Sequence, residues 1–569
     1  MEGLKGEMKQ DLKAKVRRYV MLGLVFAVLS VFFIFPLFKW HFLPFGDDMD
    51  FNFDRIIGLK ENLLHLNLFP QLCTYTFHNC AYPLYIFYPW VTLIPFAIFQ
   101  IIIPNHMWGV VIAFVFYVFI GLLIAYKVVK KITKNETQAF LTAVCYIFSE
   151  YVSIDAFRRF DLGEFLGMIF MPIVFYGFYT ITFKKKKSWI ALGLGMSLIT
   201  LSHILTTFII SFTLFILFII GFRKIDDKVN ALKSIGKAVL LWFGSSAIFL
   251  LPFLQQMLTQ KFPSQTGAVS SYFIQNFGML IMSSLNANCN KFRYGIGILG
   301  ILIMVLGLIY YRKLSSLGKT SYLIGSFTFF MVSASFPWYL LDNTFVSVIQ
   351  FSYRLLLLTT MFYAFVGGEL LFKWFNYCKT NNGNSPIVLI ICALVFMIVP
   401  QIGQTQLILQ NTDAYRQGVG RLASNTGQYD SWVSFDLGMY TPVKNQGACS
   451  NAYSNTAVID GQNVNLSKDD MKIQPNAITY DSADVNGSHE VFLPIIYNKF
   501  IYSASRNGKK VKTVRGQNGQ LGVKSSSLGP IKISYRYNWA SIIGILSSII
   551  CWGLGIYLIF NRKRKLADA

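Results

Sequence analysis

Long apolar runs alternate with short basic ones along this chain, and that alternation sets the expected elements. The first apolar run, Tyr19 to Phe38, is too long for the core of a cleaved leader. No small-residue cleavage site follows it, so it is expected to stay as an anchor. Lysine and arginine gather between the apolar runs, at Lys5 to Arg18, Lys127 to Lys134, Lys184 to Lys187, Arg223 to Lys237, Arg312 to Lys319 and Arg562 to Lys565. Placing each basic cluster on the cytoplasmic side predicts twelve spanning helices. They fall near 18–40, 107–126, 137–153, 165–183, two within 189–222 divided at Ser202-His203, 237–257, 294–311, 320–340, Arg354 to Lys373, 385–402 and 539–560. Both termini are then cytoplasmic.

One apolar stretch breaks the pattern. If 84–103 also crossed, Lys127, Lys130, Lys131 and Lys134 would be left outside, and prolines at 83, 89, 95 and 104 interrupt it. It is therefore read as a re-entrant or surface-lying segment packed on protein, within an outer loop 41–106 that also holds a helix near 55–68. At Gly403 the pattern changes to Asn, Ser, Gly and Gln with short alternating runs. Strands are expected at Asn476 to Tyr480, Val491 to Ile501, Lys510 to Val514 and Ile531 to Tyr537, with hairpin turns at Asn507-Gly508 and Asn518-Gly519. The domains are thus a transmembrane domain 1–402, an extracytoplasmic β-rich domain 403–537, and a final helix with a basic tail, 538–569. No internal repeat is visible.

Composition supports this class. The 569 residues are 54% hydrophobic and 16% aromatic, with mean hydropathy +0.48, values expected of a polytopic α-helical membrane protein. A net charge of +24 would suggest nucleic acid in a soluble chain. Here the charge sits in the loops between apolar runs, so it reports topology and no nucleic-acid partner is expected. The eight cysteines show no zinc-binding spacing. Cys73 and Cys80 are close enough in sequence to form a short-loop disulfide.

Against this background the unusual polar residues stand out, because on the predicted topology they share one side. Asp47, Asp48, Asp50 and Asp54 place four carboxylates in eight residues just beyond the first helix, with Asn52 and Arg55 among them. Asp155, Arg158, Arg159, Asp161 and Glu164 lie between the third and fourth helices, His203 between the fifth and sixth, and Arg354 at the start of the tenth. Ionisable groups beside hydrocarbon are costly unless paired or in a wet cavity, so they mark function by default. The competing reading is a set of interfacial caps and snorkelling arginines, and His203 is equally a satisfied helix-end histidine. A carboxylate at the membrane edge suits removal of a proton from a hydroxyl, and guanidinium suits phosphate. Together they describe group transfer from a lipid phosphate.

Gly46-x-Asp48-x-x-Phe51-Asn52-x-x-Arg55-Ile56 resembles the G-x-D-x-x-F-H-x-x-R-I signature of bacterial YfhO-like membrane proteins, which belong among the GT-C type glycosyltransferases. The Tyr82–Pro89 aromatic-proline segment, Arg159…Gly163-Glu164, Leu201-Ser202-His203, Gln350-Phe351-x-x-Arg354 and the tail Leu493-Pro494…Asn507-Gly508…Tyr535 follow in the family's order. The resemblance implies a GT-C-like fold in the bacterial plasma membrane that moves a sugar from an undecaprenyl-phosphate donor to a hydroxyl of an extracellular glycopolymer, such as a teichoic or lipoteichoic acid. It makes Asp48 the general base and Glu164 a second acid, with Arg55, Arg159 and Arg354 as donor-phosphate ligands. Asp47, Asp50, Asn52, Arg158, Asp161 and His203 are supporting residues. The family's histidine is Asn52 here, which neither titrates near neutrality nor binds metal well. If a divalent cation such as Mg²⁺ or Mn²⁺ takes part, Asp47, Asp48 and Asp50 are the oxygen donors nearest to hand. Two other classes compete. A lipid or polysaccharide transporter or flippase would place its charges at mid-membrane on broken helices, and an envelope-assembly scaffold would keep the fold without needing Asp48.

Overall fold

The computed structural model describes residues 2–40, 46–103, 105–185, 188–263, 269, 274–381, 385–411 and 437–567. Positions 41–45 of the outer loop, 412–436 at the start of the β-rich region, and Lys186 and Lys187 lie outside the described residues.

The chain is mostly helical. Among the described residues, eight helices are long and apolar enough to cross a membrane: Lys13–Phe33, Met107–Thr133, Leu162–Phe183, Ile204–Lys224, Lys228–Thr259, Ser352–Lys379, Ile387–Gln410 and Trp539–Asn561. A ninth arises if the pair Glu136–Ile147 and Glu150–Arg159, bent by 44°, counts as one span. Helices Trp189–Thr200, Gly297–Ile309 and Ser316–Val332 occupy the remaining predicted positions but are shorter than such a span. The first helix ends earlier than expected, at Phe33, and a short helix, Phe35–Trp40, continues after the break. Pro36 explains it, since proline cannot donate to the preceding turn.

The segment 84–103 contains no long helix. It forms Leu84–Phe87 and Ile94–Ile102 separated by Pro89 and a short turn, and it packs against Met49–Leu64 and His106–Thr133. Phe96 lies against Phe114 and Tyr117, with ring centroids 5.4 and 5.5 Å apart. Gly109 permits the approach, because a Cβ there would lie 2.9 Å from Gln100 Cα.

The described residues of the C-terminal region hold ten strands: β1 (Thr456–Ile459), β2 (Gln462–Asn465), β3 (Met471–Gln474), β4 (Ala477–Tyr480), β5 (Glu490–Ile496), β6 (Tyr502–Arg506), β7 (Lys509–Val511), β8 (Thr513–Arg515), β9 (Gln520–Lys524) and β10 (Ile531–Tyr535). They make two five-stranded antiparallel sheets, β2-β1-β5-β9-β8 and β3-β4-β10-β6-β7. Asn507 and Gly508 both take positive φ between the paired Arg506 and Lys509, the geometry of a two-residue hairpin turn. Lys510 to Val514 divides between β7 and β8, which lie in different sheets, so that expected single strand is two. Inward-facing residues of both sheets, including Ile478, Val491, Leu493, Leu521 and Ile533, share one apolar core.

That core extends into the helical part through Leu72, Ala81, Ile86 and Phe87. Polar bonds fix the junction. Asn476, at φ 53°, accepts from the N–H groups of Gln71 (2.8 Å) and Leu72 (3.0 Å) and donates to Phe69 O (3.1 Å). Thr74 donates to Gln474 O at 2.9 Å, and Tyr502 to Ala81 O at 3.1 Å. The disulfide expectation is corrected here. Cys73 and Cys80 are free buried thiols; the Cys73 backbone pairs with Tyr82, and Cys80 Sγ donates to Phe77 O.

Replacing Asn476 with Ala orphans the Gln71 and Leu72 N–H groups in a buried junction. The expected loss is about 1–3 kcal/mol, read as a lower Tm of the full chain in detergent and faster protease cleavage between the two parts.

Candidate functional site

Asp48 and Glu164 both lie at helix starts, and the distance between those starts is set by backbone contacts. Residues 154–159 form a π-helical turn at the end of the bent pair, closed by Phe160 in the left-handed region (φ 54°). The wider turn brings Arg158 and Arg159 out together, and such turns recur where chains carry function. Gly46-Asp47-Asp48 runs alongside. Asp47 N–H donates to Arg158 O (3.2 Å) and Asp48 N–H to Arg159 O (2.8 Å). Gly46 makes this approach possible, because a Cβ there would lie 2.7 Å from Phe160 Cβ and 3.1 Å from Arg158 O. Asn52 completes the seam, donating to Phe160 O at 2.8 Å and to Asp48 O at 3.0 Å.

Beneath the seam sits a buried ionic knot centred on Arg159. Its guanidinium contacts Asp155, Asp161 Oδ2 (2.8 Å) and Glu164 Oε2 (3.0 Å), under the ring of Tyr353. Asp161 is the N-cap of Leu162–Phe183 and accepts from Glu164 N–H at 3.0 Å. Tyr151 donates to Glu164 Oε1 at 2.7 Å. Arg354 approaches the same carboxylate, Nε to Oε2 at 3.5 Å, while its Nη1 donates to Gln350 Oε1 (2.8 Å) and Ile349 O (3.2 Å). Its Nη2 makes no hydrogen bond among the described residues. His203 caps the start of Ile204–Gly221, with Nδ1 2.9 Å from Thr206 Oγ1. Gly163 leaves room for the His203 ring, since a Cβ there would sit 3.1 Å from His203 Cδ2.

Asp48 differs from these. Its side chain keeps access to solvent and makes no hydrogen bond or ion pair among the described residues, yet protein surrounds it. Burial, then the neighbouring charges of Asp161 and Asp47, push its carboxyl up to about 7 against the opposing pull of Arg159 and Arg354. It is an accessible acid at the floor of a recess. Burial also works against an ionised Asp161, but His203, Arg159, Arg354 and the Glu164 N–H together hold that carboxyl below the ordinary range. Burial lowers His203 below its usual value, with Asp161 opposing and Arg354 assisting, so the ring is a neutral imidazole at pH 7.

Two expected roles change. Arg55 does not line the recess. It is fully buried, with Nη1 donating to Asn52 Oδ1 (2.7 Å), Nη2 to Pro89 O, and the Tyr88 ring 4.1 Å away. Its guanidinium fastens the first outer helix to the 84–103 segment and is sealed from any ligand. Among the described residues, the group of three carboxylate or imidazole side chains with donor atoms within 4.8 Å of one another is Asp161, Glu164 and His203, and it includes neither Asp48 nor Asp50. Asp47 is held by Arg158 (2.7 Å) and Tyr294 (2.9 Å), with half-exposed Lys291 at 3.8 Å. Asp50 lies half-buried on the first turn of its helix.

Several contributors carried no sequence signal. Tyr151, Lys291, Tyr294 and Tyr353 are ordinary aromatic or basic residues until the fold gathers them. Tyr440 follows the last helix before the sandwich. Its N–H donates to Tyr82 Oη (3.2 Å), its ring stacks on Phe87, and its side chain lies within electrostatic reach of Arg55, Asp48 and Arg354. An apolar crevice of about 460 Å³, lined by Tyr146, Phe175, Tyr179, Leu217, Lys224 and Phe362, is remote from these residues. It lies toward the Lys184 end of Leu162–Phe183, a helix about 33 Å long that starts beside Glu164.

Comparison with protein-family models, curated proteins and solved structures gives no match for this chain.

Gly46→Ala forces the seam apart, because the added methyl meets the Phe160 Cβ and the Arg158–Phe160 backbone. The expected cost is about 1–3 kcal/mol, read as a fall in Tm with the helical content by circular dichroism unchanged.

Proposed function

We propose that the chain is a membrane glycosyltransferase of the GT-C, YfhO-like kind, transferring a sugar from a polyprenyl-phosphate donor to a hydroxyl of an extracellular glycopolymer. The observation that carries this reading is Asp48: an accessible carboxylate with no bonded partner among the described residues, poised near neutrality above a buried knot of ion pairs. A general base works best with a pKa close to the working pH. The acceptor hydroxyl oxygen forms a bond to the sugar's anomeric carbon, the bond from that carbon to the donor phosphate breaks, and the phosphate keeps the electron pair. The hydroxyl proton passes to Asp48.

The leaving phosphate needs positive potential. Arg354 supplies it with an unbonded Nη2, and Lys291 stands at the rim. Helices Met49–Leu64, Leu162–Phe183 and Ile204–Gly221 all begin here, and helix starts favour anions. Glu164 and Arg159 hold the site's geometry from below, with Arg159 spent on three carboxylates. The twelve-span reading with cytoplasmic termini belongs to the same proposal. It is supported by the placement of lysine along single helices: the helix that starts beside Glu164 ends at Lys184, and Lys373 and Lys379 lie toward the far end of the helix that follows Arg354. A transporter or flippase is disfavoured, because the charged residues of this site cluster at helix ends rather than at the midpoints of the spans.

Asp48→Asn is expected to abolish sugar transfer, measured as loss of the hexose from envelope polymers in cells lacking the wild type, with membrane insertion unchanged. Full transfer by that variant would refute the assigned base. In the wild-type enzyme, transfer rises as pH increases through about 7, where Asp48 loses its proton. Asp47 holds the Asp48 pKa up, so Asp47→Asn moves that rise to lower pH in a pH–rate profile.

A further inference from the structure

From the geometry of Asp161, Glu164 and His203 we infer a binding site for one divalent first-row transition-metal ion, of the Mn²⁺ or Zn²⁺ class. The site sits in the floor of the recess. Each residue offers one donor atom within 4.8 Å of the other two. Neighbouring ligands of one tetrahedral ion at about 2.1 Å lie ~3.4 Å apart, so binding draws the three side chains together by up to about 1.4 Å. All three residues are more than nine-tenths buried.

The state of the donors points to a ligand. Glu164 Oε2 is enclosed and makes no hydrogen bond, although guanidiniums lie at 3.0 and 3.5 Å; neither is angled to donate. Asp155 Oδ2 beside it is also unsatisfied. His203 shows the arrangement that metal-binding histidines use. Nδ1 lies 2.9 Å from Thr206 Oγ1; in the tautomer that carries its proton on Nδ1, this contact fixes the ring and leaves the Nε2 lone pair open, and Nε2 makes no hydrogen bond among the described residues. Asp161 is oriented in the same way by Glu164 N–H and Arg159.

An imidazole with two carboxylates selects manganese, zinc or iron over magnesium or calcium, which prefer all-oxygen shells. Three protein ligands leave open positions, and these face the recess where a phosphate oxygen could enter. The site stands on geometry alone and holds whichever reaction the recess carries out.

The test uses the full chain in lipid nanodiscs, stripped with a chelator and titrated with Mn²⁺. Electron paramagnetic resonance is expected to show one tightly bound ion per chain. Its spin-echo modulation should carry coupling to a single imidazole ¹⁴N. His203→Gln should remove that coupling, and Asp161→Asn, whose side-chain oxygen still caps Glu164 N–H, should weaken binding at least tenfold. Zn²⁺ should displace the Mn²⁺ signal. Absence of a stoichiometric ion, a bound ion without nitrogen coupling in the wild type, or unchanged coupling in His203→Gln would each overturn the site. The wild-type spectrum decides the matter if a variant fails to fold. Asp48→Asn should keep the ion whether or not it transfers sugar, which separates failure of this site from failure of the glycosyltransferase reading.

Discussion

A single guanidinium sealed from water, facing three carboxylates, is the constraint on which the rest depends. Arg159 touches Asp155 on its own turn and Asp161 and Glu164 on the next helix, while its carbonyl holds the Asp48 N–H. Three pieces of chain are therefore registered against one residue. Such a knot adds little net stability, because desolvation of the charges offsets much of their attraction. Its value lies in geometry: taking away the arginine would leave three buried carboxylates without compensation, so alternative packings of these helices are strongly disfavoured. Apolar helices slide and rotate against one another at small cost, and the knot removes that freedom where the polar groups meet.

Much of this architecture was legible in the sequence, for physical reasons that can be named. Helices were readable because an apolar run near twenty residues has few other solutions in a bilayer. The Asn507-Gly508 turn was readable because only a few residue pairs accept two positive φ angles in succession. Asp48, Arg159, Asp161, Glu164, His203 and Arg354 were readable as a group because charge at helix ends is conspicuous in so greasy a chain. What the sequence left hidden is equally specific. The 44° bend after Ile147 comes without proline or glycine between Phe148 and Phe160; it depends on the π-helical turn and its tertiary partners. Arg55 looked like its fellow arginines, and only packing shows it enclosed under Tyr88. Contacts across some 400 residues, such as Asn476 with Gln71, leave no local trace.

Asn52 illustrates how one substitution redirects a motif. Where the resembling family has histidine, the amide spends its donors on Phe160 O and Asp48 O and its oxygen on Arg55. The side chain is consumed in holding two loops and an arginine together. Nearby, the imidazole that does face the recess comes from His203, on a different pair of helices. Chemistry lost from one segment thus has a counterpart on another, within the same polar pocket.

Tyr440 lies on the segment entering the sandwich, more than 350 residues after its partners Tyr82 and Phe87. The roof is thus written near the end of the polypeptide, and the floor near its beginning. During synthesis, the early helices stand with their acids uncovered until the last quarter of the chain has emerged and settled back on them. A chain made only as far as Arg354 has these floor residues and still lacks its cover.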